Sequence, residues 1–390
     1  MPLTATDHAL LLRAVDLAQA AIGLSDPNPR VGCVLHCAAG QLAGEGFTQQ
    51  AGGPHAEVMA LRQAAAAGRS LVGGTAWVSL EPCAHHGRTP PCVDALISAG
   101  LARVVVAVAD PFPQVAGRGL ARLRAAGMVV DLAEPSASSQ AMYALNIGYF
   151  SRVLRQRPWV RMKIAASLDG KTALPDGTSQ WITGAAARAD GQVWRRRAGA
   201  VLTGIGTVRD DDPRLDVRLL PTAHQPLRVV VDSRFATPTT ARLLAAPGKA
   251  LIVGAQDDFG RTAALRAAGA DVLLLPGSEG RVDLPALVNR LALDGINELH
   301  VEAGATLNAA LLQTGLVDEL LVYIAPTLLG PGRGMAALPA LQHLHQATPM
   351  QFESIERVGD DLCLRARRVG AADFLPGPTT PEMASLRSAR

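Results

Sequence analysis

Hydrophobic positions along the chain alternate between helical spacing and short apolar runs, and turn residues fall between them. Leu11, Val15, Ala18 and Ile22 recur on one helical stripe behind Thr4 and Asp7, which form a capping-box pair, with Gly23 as the stop. The Asp-Pro-Asn-Pro segment at 26–29 breaks the chain, and Asn28 lies where this loop leads into the next strand. Residues 30–35 and 42–47 read as two strands around a turn. Residues 55–67 are rich in alanine, poor in β-branched side chains and end before Gly68, so the pattern predicts a helix that opens at His55. Buried-strand patterns at 75–80 and 103–108, a helix from Pro91 to about residue 99, a helix ending near 126, a strand at 128–132 and a helix over 137–149 complete an alternating α/β order. This first domain is assigned to residues 1–150.

Residues 151–158 are charged and end in Pro158, the signature of a connector. From Trp159 the pattern alternates again. Strands are predicted at 160–165, 200–203, 227–231, 250–253, 272–275, 299–302 and 319–324, with helical stretches between most of them, which implies a mainly parallel sheet covered by helices. Residues 352–365, turning at Gly359, read as a closing hairpin. The second domain is assigned to 151–369. The polar remainder, 370–390, carries Pro376, Pro378 and Pro381 and is expected to be disordered.

Composition agrees with two globular domains. A chain of 390 residues is too long for one small core, and 48% hydrophobic with 18% charged residues lets each domain bury its own. A net charge of +3 and only 4% aromatic residues argue against a nucleic-acid surface of basic grooves and stacking platforms. Of five cysteines, Cys33, Cys37 and Cys363 show no disulfide framework, which suits a reducing compartment. No apolar run approaches the ~20 residues that span a bilayer, and the first six residues have no basic flank. The expectation is a cytoplasmic enzyme with no membrane partner.

Chemistry concentrates at His55, Cys83 and Cys92. One imidazole and two thiolates make three ligands, the number a catalytic zinc uses when its fourth position holds water. Glu57, two residues from the imidazole, can move that water's protons, which is the residue logic of a zinc-dependent deaminase. Residues two apart on a regular helix point in nearly opposite directions. His55 and Glu57 can therefore face one zinc only if His55 lies at the helix mouth with non-helical dihedrals, which the Gly-Gly-Pro lead-in permits. Pro91 at a first helical position would place Cys92 in the first turn, where the helix dipole favours a thiolate. Taken singly, a histidine is more often a hydrogen-bonded core or surface group, and a cysteine a small buried hydrophobe. A structural zinc would take a fourth protein ligand, which His85 or His86 could supply.

In the second domain the segment from Gly204 to Pro213 has Arg209 where a dinucleotide fingerprint needs its third glycine, so a Rossmann reading is weak. The strand ending at Glu302, followed by Gly304 and by Thr306 as cap of an apolar helix, is a better cofactor feature. A helix mouth with exposed backbone amides holds phosphate.

These segments together resemble a known family. Asn28-Pro-Arg-Val-Gly32, His55-Ala-Glu57, the run from Glu81 to Cys92 and the run from Asp110 to Gly119 are similar to the deaminase half of the bifunctional deaminase/reductase family of riboflavin biosynthesis. Eight residues separate Cys83 from Cys92, where cytidine and adenosine deaminases have Pro-Cys-x-x-Cys. The runs 162–173, 179–183, 204–218, 231–234 and 301–304 resemble the reductase half. The resemblance implies an α/β chain with an N-terminal cytidine-deaminase-like zinc domain and a C-terminal dihydrofolate-reductase-like domain that uses NADPH. It places the cofactor against Ala165, Trp181, Thr207, Asp211, Ser233 and Gly304. It places a phosphorylated pyrimidine substrate near Ser179, Arg195, Leu215, Arg218 and Glu302, where an alignment slip of one residue would exchange Arg195 with Arg196. A guanidinium fork suits phosphate. The implied activity is hydrolytic deamination of a diamino-pyrimidinone ribosylamino 5'-phosphate followed by reduction of its ribosyl side chain to ribityl, in a homo-oligomer. Two rivals stand beside it: a nucleobase or nucleoside deaminase with an unrelated appended domain, and a non-enzymatic zinc-stabilised binding module, which would have no use for Glu57.

Overall fold

The computed structural model describes residues 3–85 and 90–376 and divides into two compact units, residues 1–155 with 373–390, and residues 156–372. The first unit is built on a five-stranded sheet in the order Leu42–Phe47, Gly32–His36, Thr75–Val78, Arg103–Val106, Val129–Leu132. The first three neighbours run antiparallel and the last three parallel. The carboxyl ends of Thr75–Val78 and Arg103–Val106 thus open onto the same edge, where the loops carrying Cys83 and Asp110 begin.

Helix Ala56–Ala66 owes its alanines to how closely it lies on strand Leu42–Phe47. Ala56, Ala60 and Ala64, one helical face, are fully buried. Opposite them stand Gly44 and Gly46, where a Cβ would come within 2.2 Å of the Ala60 oxygen and 2.4 Å of the Ala56 oxygen. Small residues on both sides set the height of the helix, and with it the position of His55 at its mouth. The N-terminal helix Ala5–Ala18 has the expected capping box between Thr4 and Asp7. Asp7 is buried and also accepts from Trp77 Nε1 at 2.9 Å and Arg103 Nη1 at 2.7 Å, tying the helix to two strands.

Three features of this unit differ from the sequence reading. The single helix expected over 137–149 is two, Ala137–Leu145 and Ile147–Arg155, separated at Asn146. The Asn146 amide accepts from the Arg30 N–H at 2.7 Å and donates to the Arg30 carbonyl at 2.9 Å, and that tertiary demand interrupts the helix. The second of these helices runs past residue 150, so the units divide after Arg155, within the expected connector 151–158 but five residues beyond the expected end of the first domain. The chain after 372 returns to the first unit: Phe374 and Leu375 pack on its core, and the Arg155 guanidinium lies 4.2 Å from the Phe374 ring. An aromatic and a leucine in a polar tail have apolar area to bury, which accounts for order through residue 376. The rest of the expected disordered tail, residues 377–390, lies outside the described residues.

The second unit contains a nine-stranded sheet in the order Asp271–Leu274, Ala250–Gly254, Leu227–Val231, Ala200–Gly204, Glu298–Val301, Trp159–Ser167, Glu319–Ala325, Asp361–Arg368, Met350–Val358. The first seven strands are parallel, as expected, and the last two form the closing hairpin with Val358 opposite Asp361. Beneath one face lies a buried ion cluster. Arg161 donates to Glu298 at 2.8 Å and to Glu319 at 3.0 Å, while Arg197 reaches Glu298 and Arg365 reaches Glu319. A two-stranded sheet, Lys171–Ala173 with Arg333–Gly334, which the sequence reading did not anticipate, borders the carboxyl ends of the large sheet. The helix after Glu302, Ala305–Gln313, has Gly304 as its N-cap and no side-chain cap, so Thr306 lies inside the helix rather than capping it.

Candidate active sites

In the first unit three separate elements deliver the expected ligands to one point. His55 is the N-cap of helix Ala56–Ala66 with φ −77° and ψ 171°, the extended conformation that lets its ring turn toward the residues its own helix also faces. Cys83 hangs in the loop after strand Thr75–Val78. Cys92 begins helix Cys92–Ser98, with Pro91 as N-cap rather than first helical residue. The Cys83 and Cys92 sulfurs lie 3.6 and 3.3 Å from His55 Nδ1, and the ligand atoms of all three residues fall within 4.8 Å of one another. Glu57, in the first turn of the same helix and 3% exposed, completes the group.

The electrostatics of this cluster suit a dication. The Cys92 thiol and N–H donate to the Cys83 sulfur and hold its pKa down at about 4, with His55 assisting. Cys92, facing that thiolate, is pushed well up. The Cys83 sulfur likewise raises His55, and burial raises the Glu57 carboxyl. Two crowded sulfurs sharing one proton need a cation between them, and a zinc ion would release that proton. The donor set N, S, S fits zinc with a fourth position free for water. Among the described residues the cluster has three members and His85 is not one of them; His86 lies outside the described residues.

The sequence reading assigned no role to two neighbours of this site. Glu81, 4% exposed, accepts from the backbone N–H groups of Asp110, Gly117, Gly119 and Leu120 at 2.9–3.2 Å. It pins the 110–119 loop against the loop that carries Cys83. Asp110, which accepts from Tyr149 Oη at 2.9 Å, has its pKa pushed up to about 7 by burial. The signal for Glu81 was an acidic residue beside Pro82 and Cys83, but its four partners come from a loop about 30 residues away, and no local pattern reveals them.

In the second unit all eleven expected residues line one cleft of about 1070 Å³ at the carboxyl ends of the parallel strands. Ala165 comes from strand Trp159–Ser167. Thr207 and Asp211 come from helix Ile205–Asp211, Ser233 follows strand Leu227–Val231, and Gly304 opens helix Ala305–Gln313. Ser179 donates to Asp211 at 3.0 Å, and Trp181 stands at the rim with the Arg188 guanidinium 4.7 Å from its ring. Arg195 grips Glu302 with Nε at 2.5 Å and Nη2 at 2.9 Å, whereas Arg197 turns beneath to Glu298. Of the two residues the alignment could not separate, Arg195 is the one in the cleft and Arg196 is not. Burial alone would raise the Glu302 carboxyl, but Arg195 holds it well below the usual carboxylate range.

Leu215 has φ 54°, a left-handed conformation costly for a branched side chain, between Arg214 and Asp216. Arg214 and Arg218 both bond the buried Asp216 carboxylate, at 2.7 and 3.1 Å. The cleft has the size for a dinucleotide, and the uncapped amides at Gly304 and the guanidinium groups suit phosphates. Lys163 also lines it, two residues before Ala165 on the same strand face, with burial pulling its ammonium pKa down. A lysine two residues after Arg161 in a mostly apolar strand was the available sign, and the sequence reading did not weigh it.

Comparison with known proteins decides the family. Residues 158–364 match the RibD C-terminal domain, and residues 4–108 match the cytidine and deoxycytidylate deaminase zinc-binding region. The chain is 46% identical over 371 residues to the riboflavin biosynthesis protein RibD of Escherichia coli K12, covering 92% of this chain and 98% of that protein. The chain belongs to the RibD family. A solved Acinetobacter baumannii RibD structure superposes with a TM-score of 0.84 at 40% identity, covering 93% of this chain and 99% of the other. A Thermotoga maritima structure, described as a diaminohydroxyphosphoribosylaminopyrimidine deaminase/5-amino-6-(5-phosphoribosylamino)uracil reductase, superposes with a TM-score of 0.82 at 28% identity, covering 93% and 98%. As a RibD, the protein is a bifunctional deaminase and reductase of riboflavin biosynthesis that uses zinc and NADPH. The second domain is therefore not an unrelated appendage, and the zinc domain is not a bare binding module. No helix among the described residues is long and apolar enough to cross a membrane.

Proposed function

We propose that His55, Cys83 and Cys92 hold the zinc, that Glu57 carries the protons of deamination, and that the substrate is the diamino-pyrimidinone ribosylamino 5'-phosphate acted on by the Thermotoga relative. The observation that carries this reading is the convergence of the three donor atoms within 4.8 Å, with the Glu57 carboxyl buried beside them. Zinc, when bound, supplies a Lewis acid that lowers the pKa of a water to about 7. Glu57 takes a proton from the attacking water and delivers it to the departing amine: a carbon–oxygen bond forms at the ring, the exocyclic carbon–nitrogen bond breaks, and ammonia leaves. The burial that raises the Glu57 carboxyl suits it to both halves of that transfer.

In the second unit Ala165, Trp181, Thr207, Asp211, Ser233 and the Gly304 turn are proposed to hold NADPH, which supplies a hydride when bound. Ser179, Arg195, Leu215, Arg218 and Glu302 are proposed to hold the deaminated substrate, with Arg218 toward its phosphate. Orientation of the ribose carbon toward the nicotinamide is the main task of these residues, since ordering two reactants removes much of such a barrier. A cytoplasmic setting is supported by Cys33, Cys37 and Cys363, which lie outside the proposed zinc site and are in no disulfide. A homo-oligomer is the remaining part of the proposal, and light scattering on the purified chain reads it.

The test is to supply purified protein with the diamino substrate and NADPH, and to follow ammonia release and loss of NADPH absorbance separately. Both signals are expected, with ammonia first. Ammonia release from zinc-stripped protein at the untreated rate would remove the proposed deaminase site.

A further inference from the structure

Buried polar atoms without partners are uncommon in folded proteins, and each calls for a physical account. His300 carries two. Its side chain is 1% exposed, and among the described residues neither Nδ1 nor Nε2 has an aligned hydrogen-bond partner. It sits in strand Glu298–Val301, where alternation puts it on the face shared by Glu298 and Glu302. Its register partner on the next strand is Arg161.

The charged groups around the ring already have mates. Arg161 serves Glu298 and Glu319, Arg197 serves Glu298, and Arg195 serves Glu302. The imidazole comes closest to pairing with Glu302 Oε1, which already accepts from Arg195 and lies 3.4 Å from Nε2. Burial lowers the pKa of the ring, and the Arg161 and Arg195 charges lower it further against the pull of Glu302. A neutral ring has one N–H to place. On Nε2 it lies within 3.4 Å of a carboxylate oxygen; on Nδ1 it would leave the Nε2 lone pair beside that same oxygen, a repulsive arrangement.

We propose that His300 is a positioning residue of the reductase site, its Nε2–H steadying the Glu302 carboxylate from the sheet side so that Arg195 is presented to the substrate. This rests on the reading that Glu302 and Arg195 bind the deaminated substrate. Arg195 supplies two donors to that carboxylate, and His300 Nε2, 3.4 Å from the same Oε1 that Arg195 Nε meets, supplies the third. Leu299 and Val301, which alternate with it, face the apolar core. Without the third donor Glu302 can pivot on its side-chain torsions and carry Arg195 with it.

The test is steady-state kinetics of the reductase on the deaminated ribosylamino substrate, for His300→Leu, His300→Gln and Glu302→Gln. His300→Leu is expected to raise KM for that substrate roughly tenfold, the scale of one hydrogen bond to a charged group. KM for NADPH and deamination in the first unit should be unchanged. His300→Gln, whose amide N–H can reach the carboxylate, should recover most of the loss. Long-range proton–nitrogen NMR on the wild-type protein should show a neutral ring protonated on Nε2. A wild-type KM in His300→Leu, a His300→Gln variant no better than His300→Leu, or a proton on Nδ1 each overturns the proposal. If His300→Leu does not fold, His300→Gln and the wild-type tautomer decide it. If Glu302→Gln itself leaves KM unaltered, the substrate reading of Glu302 falls; if Glu302→Gln raises KM and His300→Leu does not, only the role of His300 falls.

Discussion

Replacing Glu57 by glutamine separates proton transfer from everything else the first unit does. The side chain is 3% exposed in a tightly packed helix mouth, so an isosteric amide fills the same space and leaves no cavity. Zinc should remain, because its three proposed donors are His55 Nδ1 and the two sulfurs. What disappears is a titratable carboxyl beside them. General acid-base catalysis is worth ~10²–10⁴-fold, which at about 1.4 kcal/mol per decade is roughly 3–5 kcal/mol of barrier. Glu57 shuttles both protons, so the upper part of that range is expected for Glu57→Gln. The assay measures ammonia and NADPH separately. With the diamino substrate both signals should collapse; with the deaminated compound NADPH oxidation should proceed at the wild-type rate. Normal deamination by Glu57→Gln would refute the proton-carrier role. Loss of NADPH oxidation on the deaminated compound by a folded, zinc-loaded variant would refute the independence of the two activities.

Other outcomes follow from the packing. Gly119→Ala would bring a Cβ within 2.1 Å of the Pro82 carbonyl oxygen, beside Cys83, so zinc content and deamination should fall while reductase activity persists; elemental analysis and the two rate assays check this. Arg161→Met leaves Glu298 and Glu319 buried without their shared guanidinium and should cost about 3 kcal/mol in urea unfolding. Burial alone would raise the Glu319 carboxyl above its ordinary 4.5, yet Arg161 and Arg365 hold it at about 2. That stabilisation is complete above pH 4.5 and is lost as the pH falls toward 2, so the acid limb of the wild-type stability profile should be steeper there than that of Glu319→Gln. The reductase should show a higher kcat/KM with NADPH than with NADH, and equal values would remove the stated cofactor preference.

The sequence by itself determined the zinc chemistry, both domain classes and the parallel character of the second sheet. These rest on information local in the chain. A helix opening after Gly-Gly-Pro, a Pro-Cys at the end of a buried strand and a Pro-Cys opening the next helix each constrain the backbone within a few residues, and His55, Cys83 and Cys92 did converge as that reading required. The tertiary structure decided what depends on partners distant in the chain. Asn146 interrupts a helix because Arg30 needs its amide, and Phe374 returns to the first unit because an aromatic ring gains by burial. Glu81 meets four backbone amides of a loop it cannot see in sequence, and Arg195 rather than Arg196 enters the cleft because only one of two adjacent helical positions faces Glu302. Local patterning specifies which groups exist and which secondary element carries them; the orientation of a long side chain, and the partner that satisfies a buried charge, are set only when the sheet brings distant strands into register.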